Sequence, residues 1–375
     1  MSISQSIIMP YHRNKAMLQY TTAQLEKFVD SDVEMIVVGN NNNAEELEVE
    51  LSPRIKFIKI EESMLYSRTV NLGVDIAKGD IITLCDQDIF SFSNWYIPLI
   101  NKLQSDKKIG AVSSKLLNPS NNRIIDFGIE YSCKRIVHTL RGHKSNYPLA
   151  LLDRPVTTST SAILMTYKSL YQKIGGMDID MPYCCSDCDI GFKISANGYE
   201  NWVVADSIAF HRGSSSDLNG KKQSFEHLKE ESHIMFWRRN GDNPLLPTVG
   251  RDIKNSVDYI LKCGDMKPLY TFINLSTFSE YEWYKDEFVR YSGSDISDIH
   301  TYKSGQSNYR SGIQIYDVVP YYFMNYTTPL IYFVDYFPSL KDNEIWRNMR
   351  NTQYDLVFDI AGNIVLLNDL INGDC

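Results

Sequence analysis

No stretch of this sequence approaches about 18 consecutive apolar residues, so nothing in it reads as a membrane-spanning helix. The opening Met1-Ser-Ile-Ser-Gln-Ser-Ile-Ile-Met-Pro10 has neither the basic start nor the apolar core of a secretion signal. Positive charge is in deficit. With 38 Lys+Arg against 46 Asp+Glu, the net charge of −8 argues against a general nucleic-acid or anionic-membrane surface. Cysteine is sparse: Cys85, Cys133, Cys184, Cys185, Cys188, Cys263 and Cys375 form an odd, unevenly spaced set. Free thiols in a reducing compartment explain that set more simply than a disulfide framework. Cys185-x-x-Cys188 has zinc-ligand spacing, but no second Cys-x-x-Cys or His-x3-His accompanies it, so the sequence holds half of a zinc site. No internal repeat is visible. What remains is a globular protein expected in the cytoplasm, with no nucleic-acid partner and no integral membrane segment.

The 375 residues, 43% hydrophobic and 22% charged, suit a large core divided over about two domains. Apolar strands at 6–9, 34–39, 55–60 and 81–85 alternate with amphipathic helices at 14–29 and 67–78, which predicts a parallel sheet with helices on both faces. A helix at 95–103 and strands at 109–117, 124–132, 156–166 and 203–210 extend it, with an irregular excursion at 138–154 and short helices at 169–174 and from Ser186. Ser186 with Asp189 three residues on has the form of a capping box. The polar stretch 214–223 reads as a loop, 225–240 as a helix, and the Pro-marked 243–250 as a domain boundary. We therefore expect a catalytic domain over 1–245 and a smaller α+β domain over 250–375. In the latter, strands are read at 269–275, 313–322, 330–336, 356–360 and 363–367, with a hairpin turn at Ala361-Gly362.

The most informative segment is Ile81-Ile-Thr-Leu-Cys-Asp-Gln-Asp-Ile89. A buried strand ends in two carboxylates one residue apart, and the period of two puts Asp86 and Asp88 on one side of its C-terminal edge. Such a pair is a hard oxygen site for a divalent cation, at the sheet edge where α/β folds bind phosphates and nucleotides. Arg68 and Asn71, at i and i+3, share a helix face.

Four blocks together resemble the inverting, GT-A-fold family 2 of nucleotide-sugar-dependent glycosyltransferases. They are Ile7-Ile-Met-Pro-Tyr-His-Arg13, the run from Ser67 through Asp86-Gln-Asp88, the run from Met177 through Asp187-Cys-Asp-Ile-Gly191 to Tyr199, and Ala205 to His211. The likeness covers about residues 1 to 225 in the family's order; nothing after about residue 245 joins it. It implies a Rossmann-like, mostly parallel catalytic sheet, and an enzyme that takes a sugar from a nucleoside diphosphate, a UDP-sugar first, to a saccharide or glycoconjugate acceptor. It implies a divalent cation, Mn2+ or Mg2+, on Asp88, Asp86 and the distant His211. Pro10, Tyr11, His12, Asn40 and Asn41 fall where the family holds base and ribose, although relatives commonly carry Asp where this chain has Gly39-Asn40-Asn41. Arg68 is then directed at the diphosphate, with Asn71 beside it, and Asp86 lies alongside the metal or on the ribose.

The same resemblance assigns Asp187 as the base that takes the acceptor's proton, a role contributing about 10²–10⁴-fold. Ser186 replaces a Glu common in relatives, which implies an altered acceptor site, and Asp189 is expected to be structural or acceptor-facing rather than the base. Ser159, Thr160 and Ser161 are candidate hydroxyl partners of the sugar, and Lys221 and Lys222 candidate phosphate contacts from a lid. Trp95 and Trp202 read first as core. The second domain is expected to supply acceptor, partner or homo-oligomer contacts through its many aromatics. Two other readings compete: a sugar nucleotidylyltransferase, against which Pro10-Tyr-His-Arg13 supplies no glycine, and a non-catalytic carbohydrate-binding scaffold.

Overall fold

The computed structural model describes residues 4–41, 44–62, 64–132, 135–181, 183–213, 226–241, 248–267, 269–275, 281–301, 329–334 and 354–372. Two compact units emerge, one of Met1–Ile129 with Ala150–Pro244 and one of Glu130–Leu149 with Leu245–Cys375. Most of the irregular excursion read from the sequence thus belongs to the second unit. Among the described residues no helix is long and apolar enough to cross a membrane.

In chain order the first unit begins β1 (Gln5–Tyr11), α1 (Lys15–Leu25), β2 (Glu34–Asn40), β3 (Ile55–Ile60), α2 (Tyr66–Ile76), β4 (Ile81–Cys85) and β5 (Ile89–Phe90). It continues with α3 (Tyr96–Ser105), β6 (Ile109–Leu117) and β7 (Ile124–Asp126). In the chain there follows a two-stranded sheet of β8 (Ile129–Ser132) and β9 (Arg135–His138), which from Glu130 on belongs to the second unit. Next come β10 (Arg154–Val156), β11 (Ile163–Tyr167), α4 (Lys168–Lys173), α5 (Ser186–Ala196), β12 (Glu200–His211) and α6 (Glu226–Asn240).

The main sheet has the order β10-β12-β6-β11-β4-β1-β2-β3, with β5 attached to β12 and β7 to β6. Strands β4, β1, β2 and β3 run parallel, β11 runs against both β4 and β6, and β12 is parallel to β6. Alternation along β1 sends Ile7, Met9 and Tyr11 into one apolar core and Ile8 into another, so both faces are covered, as the continuous apolar strands predict. This is the mixed α/β, GT-A-like arrangement expected. The α2–β4 connection passes so close to β1 that a Cβ on Gly79 would sit 2.5 Å from the Ser6 nitrogen. Gly79 therefore serves that approach, whereas the helix itself ends earlier, at Ile76.

Three expectations about elements are corrected. The stretch 156–166 is two strands, because Thr157–Ala162 leaves the sheet: Thr158 bridges to Ile129 and the Ser161 N–H turns to Asp187 (3.3 Å). The stretch 124–132 is divided at Gly128, whose φ of +93° breaks the strand. The capping box does not form: Cys185, in the left-handed region at φ +69°, is the N-cap of α5, and no side chain caps that helix.

The second unit holds α7 (Gly250–Cys263), β13 (Leu269–Asn274), α8 (Tyr281–Ser292), β14 (Asp295–Thr301), β15 (Leu330–Val334), β16 (Leu356–Asp359), β17 (Ile364–Leu366) and α9 (Leu367–Asn372). Its sheet order is β14-β13-β15-β16-β17, the first four strands parallel and β17 antiparallel. A smaller helix-and-sheet unit therefore follows the first, with parallel pairing more typical of alternating α/β than of segregated α+β. The expected strand at 313–322 lies outside the described residues. Among the described residues, Tyr270, Phe272, Tyr284, Phe288, Tyr332, Phe333 and Phe358 are fully buried rather than presented as a surface. Along α7, Val249, Ile253, Val257 and Ile260 form the apolar stripe that meets them.

Candidate active site

The site begins where β4 ends. The Asp86 N–H donates to the Ala162 carbonyl (2.9 Å) and the Ile89 N–H to the Asp86 carbonyl (3.3 Å), closing a tight turn that leads into β5. Strand β5 pairs antiparallel with the end of β12, Ile89 opposite His211 and Phe90 opposite Phe210, and the Arg212 N–H donates to the Asp88 carbonyl (3.2 Å). That register carries a histidine from the far end of the unit onto the acidic turn. His211 Nε2 lies 3.2 Å from Asp88 Oδ1, and one ligand atom from each of Asp86, Asp88 and His211 falls within 4.8 Å of the others.

Asp88 is buried and the other two half-buried, so their charges act in a low dielectric. Burial pushes the Asp86 carboxyl up to about 6; His211 opposes the rise, Asp88 reinforces it, and the Tyr66 hydroxyl opposes it. Burial also works to depress His211, but the hydrogen bond and charge of Asp88, with Asp86 and Asp126 behind, leave the imidazole raised. Two carboxylates and an imidazole in one corner are a donor set that fits a hard or borderline divalent cation.

Tyr66 and Gln87 complete this corner, and sequence reasoning passed over both. The Tyr66 hydroxyl donates to Asp86 Oδ1 (2.7 Å) and lies 3.1 Å from Ser161 Oγ. The Ser161 N–H in turn donates to Asp187 Oδ2 (3.3 Å), and the Cys188 N–H to Asp187 Oδ1 (2.9 Å). One chain of contacts therefore runs from the acidic turn to the first turn of α5. That helix lies so close to the 157–161 segment that a Cβ on Gly191 would collide with Thr158, whose hydroxyl donates to the Asp187 carbonyl (3.1 Å). Asp189 pairs with Lys193 (2.6 Å), one turn along the same helix. No sequence pattern marks Tyr66, a lone aromatic at a helix start. Gln87 is flagged only by lying between the two acids; it accepts from the His12 N–H (3.1 Å) and donates to the Arg13 carbonyl (2.7 Å).

The remaining predicted residues fall into two sets. At the end of β1, Pro10 and Tyr11 are buried, the Tyr11 hydroxyl donating to the Glu46 carbonyl (3.0 Å), and His12 Nδ1 meets the Asn40 carbonyl (2.7 Å). Asn40 donates to Thr69 Oγ1 (2.9 Å) and accepts from the Met64 N–H (3.1 Å), while Asn41 donates to the His12 carbonyl. These residues form one hydrogen-bonded rim beside the acidic turn, tied to it through Gln87. Arg68 is exposed, and the Asn71 side chain is engaged by the Met177 carbonyl (2.9 Å), the Met177 N–H (3.1 Å) and the Tyr171 hydroxyl (2.6 Å). Asn71 thus ties α2 to the 171–177 segment. Ser159 is buried, and Thr160 Oγ1 accepts from the Ala162 N–H (3.3 Å). Trp95 is fully buried, so it offers no face to a sugar, and Trp202, partly buried, has Lys102 over its ring at 3.7 Å. Lys221 and Lys222, with the expected lid 214–223, lie outside the described residues.

Residues 6–171 match the model of "Glycosyl transferase family 2". Protein y4gI of Sinorhizobium fredii is 25% identical over 224 residues, covering 56% of this chain and 24% of that protein. The O-antigen biosynthesis protein RfbC of Myxococcus xanthus is 22% identical over 201 residues, 49% of this chain and 15% of its own length. The chain thus spans less than a quarter of these curated relatives. Among solved structures, GalNAc-T7 with UDP, GalNAc and Mn2+ aligns with a TM-score of 0.46 at 14% identity, covering 56% of this chain and 44% of that one. Mannosyltransferase PcManGT from Pyrobaculum calidifontis, with GDP-Man and Mn2+, aligns at 0.44 and 14% identity, covering 65% and 66%.

Proposed function

We infer that this chain, whose residues 6–171 match the model of glycosyl transferase family 2, moves a sugar from a nucleoside-diphosphate donor to an acceptor hydroxyl with inversion at the anomeric carbon. The observation that carries this reading is the meeting of Asp86, Asp88 and His211 at one sheet edge, with Asp187 linked to them through Ser161 and Tyr66. Asp88 and His211 would hold a divalent cation, Mn2+ or Mg2+, with Asp86 alongside. When bound, such a cation supplies Lewis-acid relief of the charge gathering on a departing diphosphate. The rim of Pro10, Tyr11, His12, Asn40 and Asn41 borders the nucleotide, and exposed Arg68 is free to meet its phosphates.

Asp187 accepts the acceptor's proton as that oxygen attacks the face of the sugar opposite the leaving group. Two backbone N–H groups, from Ser161 and Cys188, fix the direction of its carboxylate. Likeness to an O-antigen biosynthesis protein supports a polysaccharide or glycoconjugate acceptor. The second unit is assigned to acceptor, partner or homo-oligomer contacts, and free thiols at Cys85, Cys184, Cys185, Cys188 and Cys263 suit work in the cytoplasm.

The test is thermal stabilisation of the full chain by Mn2+ with a panel of nucleotide sugars. A rise in melting temperature that needs both Mn2+ and one donor, and disappears in Asp88→Ala, is the expected result. Donor binding that ignores the metal, or survives Asp88→Ala intact, would overturn the metal assignment. No stabilisation with any donor would favour a sugar-binding scaffold.

A further inference from the structure

The Cys185-x-x-Cys188 spacing is not the one that gathers: Cys185 instead groups with its neighbour Cys184 and a distant histidine, and Cys188 stays outside. Cys184 and Cys185 immediately precede α5, and His233 stands on α6, all within the first unit. The two sulfurs are 3.6 Å apart. One ligand atom from each of the three residues lies within 4.8 Å of the others. Tetrahedral coordination with Zn–S near 2.3 Å places two sulfurs about 3.8 Å apart, close to the separation observed. A disulfide would need about 2.05 Å. The spacing is that of two ligands sharing one ion.

The surroundings hold these donors in place. Ser232, next to His233, accepts from the Tyr183 N–H (3.1 Å) and the Cys184 N–H (3.3 Å), pinning the cysteine segment to α6. Helix α6 is docked in turn by Phe236 stacked on Phe192 (5.9 Å between centroids) and by Arg239 paired with Asp178 and with Asp180 (2.9 Å). Cys185 is buried, Cys184 half-buried and His233 exposed, so the cluster has a closed side and an open one.

We propose that Cys184, Cys185 and His233 form a second metal site, of soft-ligand type, which takes Zn2+ with a fourth position open to water. Its chemistry separates it from the acidic corner, because thiolates select Zn2+ whereas carboxylates accept Mn2+ or Mg2+. The site sits at the N-cap of α5, two residues before Asp187. A bound ion would fasten α6 to the start of that helix and fix the left-handed turn at Cys185.

Cobalt(II) alone, added to the reduced full chain, tests this directly. Thiolate-bound Co2+ gives an intense near-ultraviolet charge-transfer band, which a carboxylate–imidazole site cannot produce. One equivalent of Co2+ should raise the band, and Zn2+ should bleach it. Cys184→Ser and His233→Gln should each weaken or abolish it, while Asp88→Ala and Cys263→Ser leave it intact. Both informative substitutions are on half-buried or exposed side chains, and a melting curve of each variant checks that it folds. Absence of the band in the wild type, or its persistence in the Cys184→Ser, His233→Gln double variant, would overturn the site. So would a mass lower by two hydrogens, locating a Cys184–Cys185 disulfide in the protein as isolated.

Discussion

Asp187 shows how a single carboxylate is given a direction. Its two oxygens accept from different backbone N–H groups, and the first turn of α5 favours negative charge there. Asp187→Asn preserves size and most of that geometry but removes the proton acceptor. Turnover should fall about 10²–10⁴-fold while the dissociation constant of the donor stays within error, as read by single-turnover assay and calorimetry. A wild-type rate would remove Asp187 from the mechanism. Asp86 and Asp88 were legible because acids one residue apart at a strand end form a pattern with a chemical reason, whereas Asp187 was singled out by the family resemblance. Tyr66 was not legible, since a tyrosine becomes part of a site only through what its hydroxyl reaches, here a carboxylate 20 residues along the chain and a serine 95 residues along it.

Among the elements, the short pairing of β5 with the end of β12 matters most. Two residue pairs set the register that brings His211 to Asp88, and strand β12 reaches them only after its pairing with β6 shifts between Val204 and Ile208. The β16–β17 hairpin offers a separate test. Asp359 Oδ1 accepts from the Ala361 and Asn363 N–H groups (2.9 Å each) and Oδ2 from the Asn363 side chain (2.9 Å), around Gly362 at φ +82°. Burial nonetheless pushes Asp359 up to about 7, against those hydrogen bonds. An unfolded aspartate titrates near about 3.9, so between about pH 4 and pH 7 the folded chain binds more protons than the unfolded one. This residue's contribution to stability is therefore fully present below that window and is lost as pH rises through it. Asp359→Asn should flatten the decline in melting temperature from about pH 5 to about pH 8. An unchanged slope would show that the group is not buried as described.

At the scale of the molecule, the second unit is not simply the C-terminal part of the chain. The Thr248 and Val249 N–H groups donate to the Tyr131 carbonyl (2.8 and 3.0 Å), and Val137 belongs to the same core as Ile253, Phe272 and Phe358. Cutting at residue 245 would strip Tyr131, Val137 and Tyr147 of cover, each buried aromatic or aliphatic side chain being worth roughly 1.5–3 kcal/mol. A chain ending there should aggregate or melt early on size-exclusion chromatography and thermal scanning. Also replacing 130–149 by a short Gly/Ser linker should restore a monodisperse first unit. A simple truncation that stays monodisperse with an unchanged melting curve would count against this division.

The catalytic sheet could be read from the chain because parallel strands buried on both faces announce themselves as apolar runs, and intervening helices carry one apolar stripe each. The 124–132 and 156–166 stretches misled because strand-forming residues there are interrupted by a positive-φ glycine and by backbone groups turned to Asp187 and Ile129. In the second unit, β14 and α8 went unread, and polar and aromatic residues mixed along 281–301 blur both periodicities.

Local pattern alone was enough for most elements of the first unit and for the shared side of Asp86 and Asp88, whereas the Cys185-x-x-Cys188 spacing did not mark the thiols that gather. Folding chose the partners: His211 for the acids, Tyr66 and Ser161 as the link to Asp187, and His233 for the thiols. The reason is physical. Side-chain direction follows from the backbone period and is written locally, whereas which distant side chains meet depends on strand register and helix docking, settled only when the whole core packs.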